Sequence, residues 1–387
     1  MRILRLNVRG AALFKEDLLI DFTATQNVRE SHKDRLHFLF ENRNVKIYTN
    51  NVIPFAGINA SGKTTVLKTL DFAISMLNGE SLNSIDTREI MNNSDQDVEI
   101  TAFLYDEKDK LYKIDSRIRI DQPAPIGEGL TIIDERIWVK NISQVKSKKN
   151  VFEFSDNPIK ERVNEDSEYI QDDISISVAV TKKNKLLKLS LVPYTNINII
   201  HILGEIPREI LTYLDPSIEY INFTKESKEI KIKFYDKEEI TVSNPVALEN
   251  YLSSGTIKGI NVFYMARVVF DEGGYLVIDE LENHFNKEIA ASLIRFFINN
   301  DINRNGATLI YSTHYVELLD EIERNDSIYI VRNKGGIYVE GLHKLLKRND
   351  IKKSEAFESD YLGNTAPSYD AYMGLKKYMS LAGGGIL

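Results

Sequence analysis

The sequence predicts an α/β fold with a mixed sheet core, an antiparallel β layer and an inserted lobe of helices and strands. Three observations predict it. An apolar strand, a glycine-rich loop and an amphipathic helix follow one another over residues 51–77. A second apolar strand, at residues 275–278, ends in two carboxylates. Other segments alternate polar and apolar residues, as antiparallel strands do.

The composition is that of an ordinary globular protein. Of 387 residues, 43% are hydrophobic and 27% charged, which allows two or three domains or one large discontinuous domain. No apolar run approaches the length of a membrane span, and the alternating N-terminus differs from a signal peptide. The absence of cysteine excludes disulfides and thiolate metal sites within the chain and is compatible with an expected cytoplasmic location. The net charge of −8 argues against a wholly basic nucleic-acid binder, although a local patch stays open.

The N-terminal segment predicts two paired strands and a surface loop. Residues 2–8 alternate, and residues 18–22 form a second strand candidate after a break at Gly10. We expect an antiparallel pair ahead of the glycine-rich loop. Residues 24–45 are polar and charged, which predicts a surface loop with a short helix.

The glycine-rich loop has the pattern of a phosphate-binding P-loop, G-x-x-x-x-G-K-[ST]. Glycines let backbone N–H groups curl around phosphate oxygens, and the loop would stand at a helix N-terminus, whose dipole favours anions. Lys63 would bring a cation to the β- and γ-phosphates, and the Thr64 hydroxyl could ligate Mg²⁺. The alternative is a chance glycine-rich turn, which the order of strand, loop and helix disfavours. The residues expected to contact nucleotide include Gly57, Ala60, Ser61, Gly62, Lys63, Thr64 and Thr65.

Three alternating segments after the P-loop helix predict a β-rich layer, at residues 98–105, 111–120 and 130–139. The short basic run Lys146–Lys149 follows. Such a run could contact an anionic polymer, but short lysine runs are more often solvated turns, and we favour that interpretation.

A shift from acidic to basic composition predicts an inserted lobe in the middle of the chain. The expected elements of the lobe are two helices and two strands, at residues 182–191, 207–214, 218–223 and 229–234. The C-terminal residues are charged and irregular. A tail that docks on a partner is one interpretation, and packing along the core is the one that we favour. The expected division is a discontinuous core, an inserted lobe and a C-terminal extension, over residues 1–156 with 262–345, 157–261 and 346–387.

Two carboxylates end the second apolar strand, where α/β sheets carry their ligand chemistry. Asp279 is expected to hold Mg²⁺ directly or through water, and Glu280 to orient and polarise the attacking water as general base. An ordinary strand ending in solvated acids would read the same way, but the P-loop upstream favours the functional interpretation.

Two further motifs complete the expected site. Ser253, Ser254 and Gly255 open a helix, and hydroxyl and N–H groups at a helix start suit a terminal phosphate. Residues 307–311 predict another buried strand, after which His314 can reach a γ-phosphate and report its presence. The expected catalytic residues are Lys63, Glu280 and His314. A hairpin is expected beyond them, over residues 326–332 and 337–340.

The ordered set GINASGKT, LSSGT, YLVIDE and STH resembles the ABC-type ATPase heads of the RecF, SMC and OLD-like group. It is more closely similar to the compact AAA-type ATP-binding proteins of bacterial abortive-infection and phage-defence loci. The resemblance covers most of the chain, weakly in the middle lobe, and implies a P-loop NTPase of ABC-ATPase-head type. Asn59 matches the asparagine that these families carry within the loop. Leu252–Gly255 match their signature motif, and His314 matches their switch histidine.

The resemblance also implies an ATP-linked homodimer or higher oligomer. In the family, the signature of one protomer closes over the γ-phosphate held by the P-loop of the other, so Ser253, Ser254 and Gly255 would act in trans across an isologous interface. ATP and Mg²⁺ would be the ligands, and a separate effector protein would receive the signal in anti-phage defence. Two departures concern Glu135, a substitute for the family's glutamine loop, and His284-Phe285-Asn286, which stands where relatives carry leucine-histidine-proline.

Other functions stay open at this point. A RecF-like DNA repair or recombination ATPase would need a basic groove across the dimer, for which Lys146–Lys149 and Lys182–Lys188 are the candidates, and the acidic net charge weakens this hypothesis. A non-hydrolysing scaffold would bind ATP only for stability, and the intact Glu280 and His314 speak against it. A transporter subunit is less attractive because of the β-rich insert. The sequence offers no second catalytic constellation for nuclease, protease or transferase work.

Overall fold

The computed structural model describes residues 1–92, 96–121, 128–155, 157–162, 170–182, 184–195, 200, 204–223, 229–283, 285–348, 351–366 and 369–380. The strands, in chain order, are β1 (Arg2–Arg9), β2 (Leu18–Asp21), β3 (Leu36–Asn42), β4 (Val45–Asn50), β5 (Val52–Ala56), β6 (Val98–Asp106), β7 (Lys110–Ile120), β8 (Leu130–Asn141), β9 (Lys160–Glu161), β10 (Lys188–Ser190), β11 (Gly204–Glu205), β12 (Ile218–Phe223), β13 (Ile230–Phe234), β14 (Ile240–Val242), β15 (Tyr275–Ile278), β16 (Thr308–Thr313), β17 (Tyr329–Asn333) and β18 (Ile337–Gly341). The α-helices are α1 (Lys63–Leu77), α2 (Val178–Thr181), α3 (Arg208–Leu214), α4 (Ser254–Glu272), α5 (Lys287–Ile298), α6 (Leu342–Leu345), α7 (Lys353–Glu358) and α8 (Tyr369–Ser380).

Two large sheets and helix α1 form the core. One sheet is antiparallel throughout, with the order β2-β1-β6-β7-β8-β9. The other has the order β10-β15-β16-β5-β17-β18 and is parallel except for the β17–β18 hairpin. One hydrophobic cluster joins α1 to both sheets and includes Leu67, Ile53 and Ile100. The predicted mixed sheet core and antiparallel β layer are confirmed.

The parallel sheet is covered on both faces, which explains why its strands are almost continuously apolar. Successive residues of β5 enter different clusters, because side chains alternate between the faces of a strand. Ile53 and Phe55 pack with α1, whereas Val52 and Ala56 pack with residues of α4 and α5. The strand is thereby fixed on both sides directly before the glycine-rich loop begins.

A third sheet, β11-β12-β13-β14, packs with α3 and α4 in a hydrophobic cluster of its own. This lobe lies in sequence between β10 and β15, and these two strands are parallel neighbours in the core sheet. Helix α4 leads from the lobe back to the start of β15. The lobe therefore enlarges one crossover connection, on the side where β10 ends.

The helix predicted at residues 182–191 is wrong where the structure describes it; residue 183 lies outside the described part. Strand β10 occupies Lys188–Ser190 instead, and only Val178–Thr181 is helical. The Lys188 ammonium lies 3.0 Å from Asp71 Oδ1 and donates a 2.7 Å hydrogen bond to Ser75 Oγ on α1. Pairing with β15 and this buried contact override the helical preference of a lysine- and leucine-rich segment.

The loop predicted at residues 24–45 is also partly wrong. A short 3₁₀ helix, Glu30–Arg35, is present, but Leu36–Asn42 forms a strand that pairs with β4. Arg43 takes a positive φ of 55° at the turn between them. The charged residues before β3 obscured its short alternating pattern in the sequence.

The C-terminal extension is more regular than expected. Helix α7 packs on the core, as predicted for this region, and Asp320 accepts hydrogen bonds from the backbone N–H groups of Lys353 and Ser354. Residues Tyr369–Ser380 form helix α8, so the irregular conformation predicted there is wrong. This helix is exposed over its whole length, so the expected packing along the core is also wrong for these residues. No helix in the described residues is both long enough and apolar enough to span a bilayer.

Candidate nucleotide-binding site

The glycine-rich loop connects β5 to α1 at the carboxyl edge of the parallel sheet. Both pattern glycines are required by their surroundings. A Cβ at Gly57 would lie 2.3 Å from the carbonyl oxygen of Val331, and Gly62 has a φ of 101° with Ile337 Cδ1 2.5 Å from where its Cβ would stand. Backbone and a packed side chain thus press on the loop from the neighbouring hairpin. The close approach keeps the loop's N–H groups at the helix N-terminus.

Lys63 is the first residue of α1 and is buried at the base of the loop. Its Nζ donates hydrogen bonds to the carbonyl oxygens of Gly57 (2.9 Å) and Ile58 (3.1 Å) and lies 3.1 Å from His314 Nδ1. Burial lowers the pKa of Lys63 to about 8, and the negative charges of Glu282, Asp279 and Glu280 partly oppose this. The present acceptors of the lysine are neutral carbonyl oxygens, and negatively charged phosphate oxygens, which form stronger hydrogen bonds, could replace them.

The carboxylate of Asp279 connects the acidic strand end to the P-loop. Thr64 Oγ1 donates a 2.8 Å hydrogen bond to Asp279 Oδ2, and Ser312 Oγ donates a 2.5 Å bond to Asp279 Oδ1. Strands β15, β16 and β5 are adjacent and parallel, so their carboxyl ends meet at one edge. The predicted convergence of the P-loop and the acidic pair is thus present.

Glu280 and His314 face each other at the same edge. Glu280 has a positive φ of 50°, and its N–H donates a 2.7 Å bond to Ser312 Oγ. Its Oε1 lies 3.6 Å from His314 Nε2, and both side chains are about one third exposed. A non-glycine residue in this backbone region is strained, and such strain concentrates at functional sites. The turn at Glu280 directs the carboxylate to the pocket while Asp279 stays buried.

A pocket opens over these residues and extends beyond the predicted motifs. On one side it is lined by the loop, at residues 59–65, and by Glu280 and His314. The other side comes from the N-terminal loop and the β17–β18 turn, at Ala12, Leu13, Asn333, Gly335, Gly336 and Ile337. Backbone bonds of 2.9 Å join Leu13 and Lys15 to Ile337. This second wall could not be predicted from the sequence because no motif identifies it; only the glycine turn gave a local signal.

Thr64 and Asp279 fit a Mg²⁺ site. Mg²⁺ prefers oxygen ligands, keeps several waters and usually takes one or two protein ligands beside substrate phosphates. The two oxygens lie 2.8 Å apart, directly beside the phosphate-binding loop. The described residues contain no group of three or more His, Cys, Asp or Glu side chains arranged for a metal. The donor set therefore suits a metal that arrives with phosphate.

The residues predicted to form a signature motif lie outside this pocket. Ser253 caps α4: its Oγ accepts a 3.0 Å hydrogen bond from the N–H of Thr256. Ser253, Ser254 and Gly255 are not among the residues that line the pocket. A single chain thus brings together Lys63, Thr64, Asp279, Glu280 and His314 but leaves the signature apart.

Glu135 does not line the pocket, which corrects its interpretation as a substitute for the glutamine loop. It is fully buried on β8 and accepts hydrogen bonds from Ser116 (2.7 Å), Ser175 (2.5 Å) and the N–H of Ile176 (2.7 Å). Burial raises the pKa of the Glu135 carboxyl, against the effect of these donors and of Arg162. The side chain ties β7 and β8 to the segment before α2. His284, the residue at the other departure, lies outside the described residues.

A P-loop between a buried strand and helix, with its lysine and threonine beside an acidic strand end in a parallel sheet, defines an AAA-type P-loop NTPase domain. Comparison with known families agrees. Residues 55–320 match the family described as "AAA domain, putative AbiEii toxin, Type IV TA system". The chain belongs to this family, which is one of AAA-type P-loop ATPases linked to abortive infection. No curated protein matches the chain.

Proposed function

We propose that the protein is a Mg²⁺-dependent switch that binds and hydrolyses ATP, dimerises head-to-tail around it and signals to a separate partner in anti-phage defence. The observation that carries the proposal is the contact of Thr64 with Asp279, beside the contact of Lys63 with His314. Together they unite P-loop, acidic strand end and histidine on one surface. Family membership supports the nucleotide and the connection with abortive infection.

Each side chain has a definite role in this proposal. Lys63 would exchange its two carbonyl acceptors for β- and γ-phosphate oxygens. Thr64 and Asp279 would hold Mg²⁺, which supplies positive charge to the phosphates when bound. Glu280 would accept a proton from the water that attacks the γ-phosphorus, as the P–O bond to ADP breaks. His314, between Lys63 and Glu280, would contact the γ-phosphate and sense its loss.

The signature would act from a second protomer. Ser253, Ser254 and Gly255 stand at the start of a nineteen-residue helix, where N–H groups and a positive dipole end favour an anion. Because they lie outside the pocket of their own chain, a γ-phosphate could contact them only across an interface or after a rearrangement of the lobe. In the dimer the lobe between β10 and β15 and the extension from residue 346 would be available to a partner.

One lysine in each of the two candidate basic segments is engaged within the chain, which reduces the support for the alternative of a DNA-repair ATPase. Lys188, in one candidate basic segment, is committed to Asp71 and Ser75 in the interior. In the other segment, Lys148 points toward backbone carbonyl oxygens of residues 24 and 26, at 3.4 Å. Nucleic-acid binding driven by phosphate contacts needs free cations along a groove. We therefore retain the switch as the better-supported function.

The test is direct. Purified protein is incubated with ATP and Mg²⁺ while phosphate release and molar mass by light scattering are followed. We expect turnover and an increase of mass from monomer to dimer with ATP, reversed on hydrolysis. Protein that binds ATP without turnover or change of mass would contradict the proposal. DNA binding measured against salt, with and without ATP, would expose the alternative.

A further inference from the structure

Glu282 is a buried carboxylate next to the proposed site to which no role has been given so far. It follows Glu280 by two residues, in the turn after β15, and is 8% exposed. Its Oε1 accepts a short hydrogen bond from the backbone N–H of His314. The carboxylate thus fixes the main chain at the residue proposed to sense the γ-phosphate.

The turn and the end of β16 are interlocked residue by residue. The N–H of Glu280 donates to Ser312 Oγ, and the N–H of Leu281 donates to the Ser312 carbonyl oxygen at 3.0 Å. Glu282 then accepts from His314, so the bonds run in both directions between the two segments. Among these bonds, only the one that the N–H of His314 donates to Glu282 fixes the backbone of His314 itself. A displacement of the acidic turn would therefore move the histidine with it.

The environment of Glu282 points to a purpose beyond packing. Its Oε2 is buried and has no hydrogen-bond partner among the described residues. A buried carboxylate oxygen without a partner lowers stability, and an apolar side chain of the same size would avoid the cost. The ring that Glu282 supports has Nδ1 3.1 Å from Lys63 and Nε2 3.6 Å from Glu280. Both distances depend on where the His314 backbone stands.

We propose that Glu282 is a positioning residue: through the backbone N–H of His314 it holds the imidazole between Lys63 and Glu280. The inference rests on the proposed function, since it assigns Glu282 to the histidine of that same site. Glu282 does not touch the reacting atoms and acts only through His314. Its hydrogen-bond acceptor, rather than its negative charge, is the required property.

Two variants separate these properties. Glu282→Gln keeps an oxygen acceptor and removes the charge, whereas Glu282→Met keeps the length and removes the acceptor. Because small misplacements of a catalytic group can cost on the order of 100-fold in rate, we expect Glu282→Met to lower kcat about 100-fold with ATP affinity retained. Glu282→Gln should stay close to wild type. In a His314→Ala background, Glu282→Met should cause no further loss.

A spectroscopic measurement keeps the inference independent of turnover. The chain has six histidines, and the ring signal of His314 can be assigned in isotope-labelled protein by its loss in His314→Ala. We expect that signal to move in Glu282→Met and to stay in place in Glu282→Gln. If wild type hydrolyses no ATP, the proposed function fails, while the ring signal still decides the role of Glu282.

Two results would overturn the inference. One is an unchanged His314 signal in Glu282→Met. The other is Gln as damaging as Met, which would mean that the charge matters and the hydrogen bond does not. Thermal unfolding of each variant identifies general loss of structure, and Glu282→Gln serves as the folded comparison if the methionine variant is unstable.

Discussion

The hydroxyl of Thr64 donates a 2.8 Å hydrogen bond to the carboxylate of Asp279, 215 residues further along the chain. The two residues belong to different strand–loop units, and only parallel packing of β5, β16 and β15 brings them together. The contact places two oxygen atoms of the kind that Mg²⁺ prefers beside the P-loop. It also leads to a first prediction about metal dependence.

Replacement of Asp279 by asparagine should raise the Mg²⁺ concentration needed for half-maximal ATP turnover. The amide keeps the shape and an oxygen but loses the negative charge, and altered metal-site partners typically cost about 10- to 100-fold in affinity. Turnover measured over a series of Mg²⁺ concentrations checks this. Asp301→Asn, at an exposed position, is the matched control. An unchanged Mg²⁺ dependence would remove Asp279 from the proposed metal site.

Lys63→Met should change both ATP binding and the pH dependence of stability. Burial lowers the pKa of Lys63 to about 8, whereas the unfolded chain keeps the ordinary value of 10.5. Between these pH values the unfolded state binds more protons, so stability of the wild type rises with pH. Without nucleotide, we expect the methionine variant to be the more stable protein at pH 7. The difference in free energy of unfolding between Lys63→Met and wild type should narrow from pH 8 to 10.5.

Denaturant unfolding of both proteins at several pH values measures that difference. If the difference in free energy of unfolding stays constant up to pH 10.5, the assignment of the lowered pKa to Lys63 is contradicted. In the same samples, ATP should stabilise wild type and have little effect on Lys63→Met, because the main phosphate-binding cation is absent.

Glu280→Gln should separate binding from hydrolysis. The amide cannot accept a proton from water, and loss of a general base typically costs about 10²- to 10⁴-fold in rate. We expect ATP affinity near that of wild type and a dimer that persists, since the γ-phosphate stays in place. Phosphate release and light scattering provide the measurement. Turnover equal to wild type would exclude Glu280 as the base.

A mixing experiment tests whether the signature acts in trans. Lys63→Met disables the P-loop and Ser254→Arg the signature, so neither variant alone should hydrolyse ATP. A mixed head-to-tail dimer would contain one site built from two intact halves, and an equal mixture should recover about a quarter of wild-type turnover if the sites act independently. ATP turnover that increases as the second variant is added supports a site shared between two protomers. A mixture as inactive as its components speaks against it.

Glu135→Ala should destabilise the protein without affecting nucleotide affinity. The substitution removes the buried acceptor shared by Ser116, Ser175 and the N–H of Ile176, and it removes one of the carboxylates beside Arg162. Breaking a buried charged network in this way typically costs about 3 to 5 kcal/mol. Denaturant unfolding and an ATP titration check the two parts. A loss of ATP affinity in a stably folded variant would return Glu135 to the site.

The P-loop and the strand before Asp279 and Glu280 could be predicted from the sequence because few residue types, in a fixed order, satisfy their patterns. The P-loop permits few substitutions around Gly57 and Gly62, and a strand that ends in Asp279 and Glu280 has a distinctive apolar run before it. Elements fixed by distant partners could not be predicted in the same way. The segment around Lys188 looks helical in isolation, and only its contacts with Asp71 and β15 make it a strand.

In the candidate site, too, residues within local motifs could be predicted, whereas residues that depend on distant partners could not. No role was predicted for Glu282 or Ser312, because each acts through a hydrogen bond whose partner lies about thirty residues away. The second pocket wall, around Leu13 and Ile337, is built from backbone pairing and carries no characteristic side chain. Such residues become visible only when the sheet order is known.

The lobe interrupts the chain between β10 and β15, two strands that lie side by side in the core sheet. Its entry and its return are therefore anchored to one rigid support, and its interior can diverge in size or shape without any change of strand order. Members of a family with this topology could therefore differ in the lobe while the core sheet and the P-loop stay the same. For protein engineers, the same junction is a natural place to graft a foreign recognition unit.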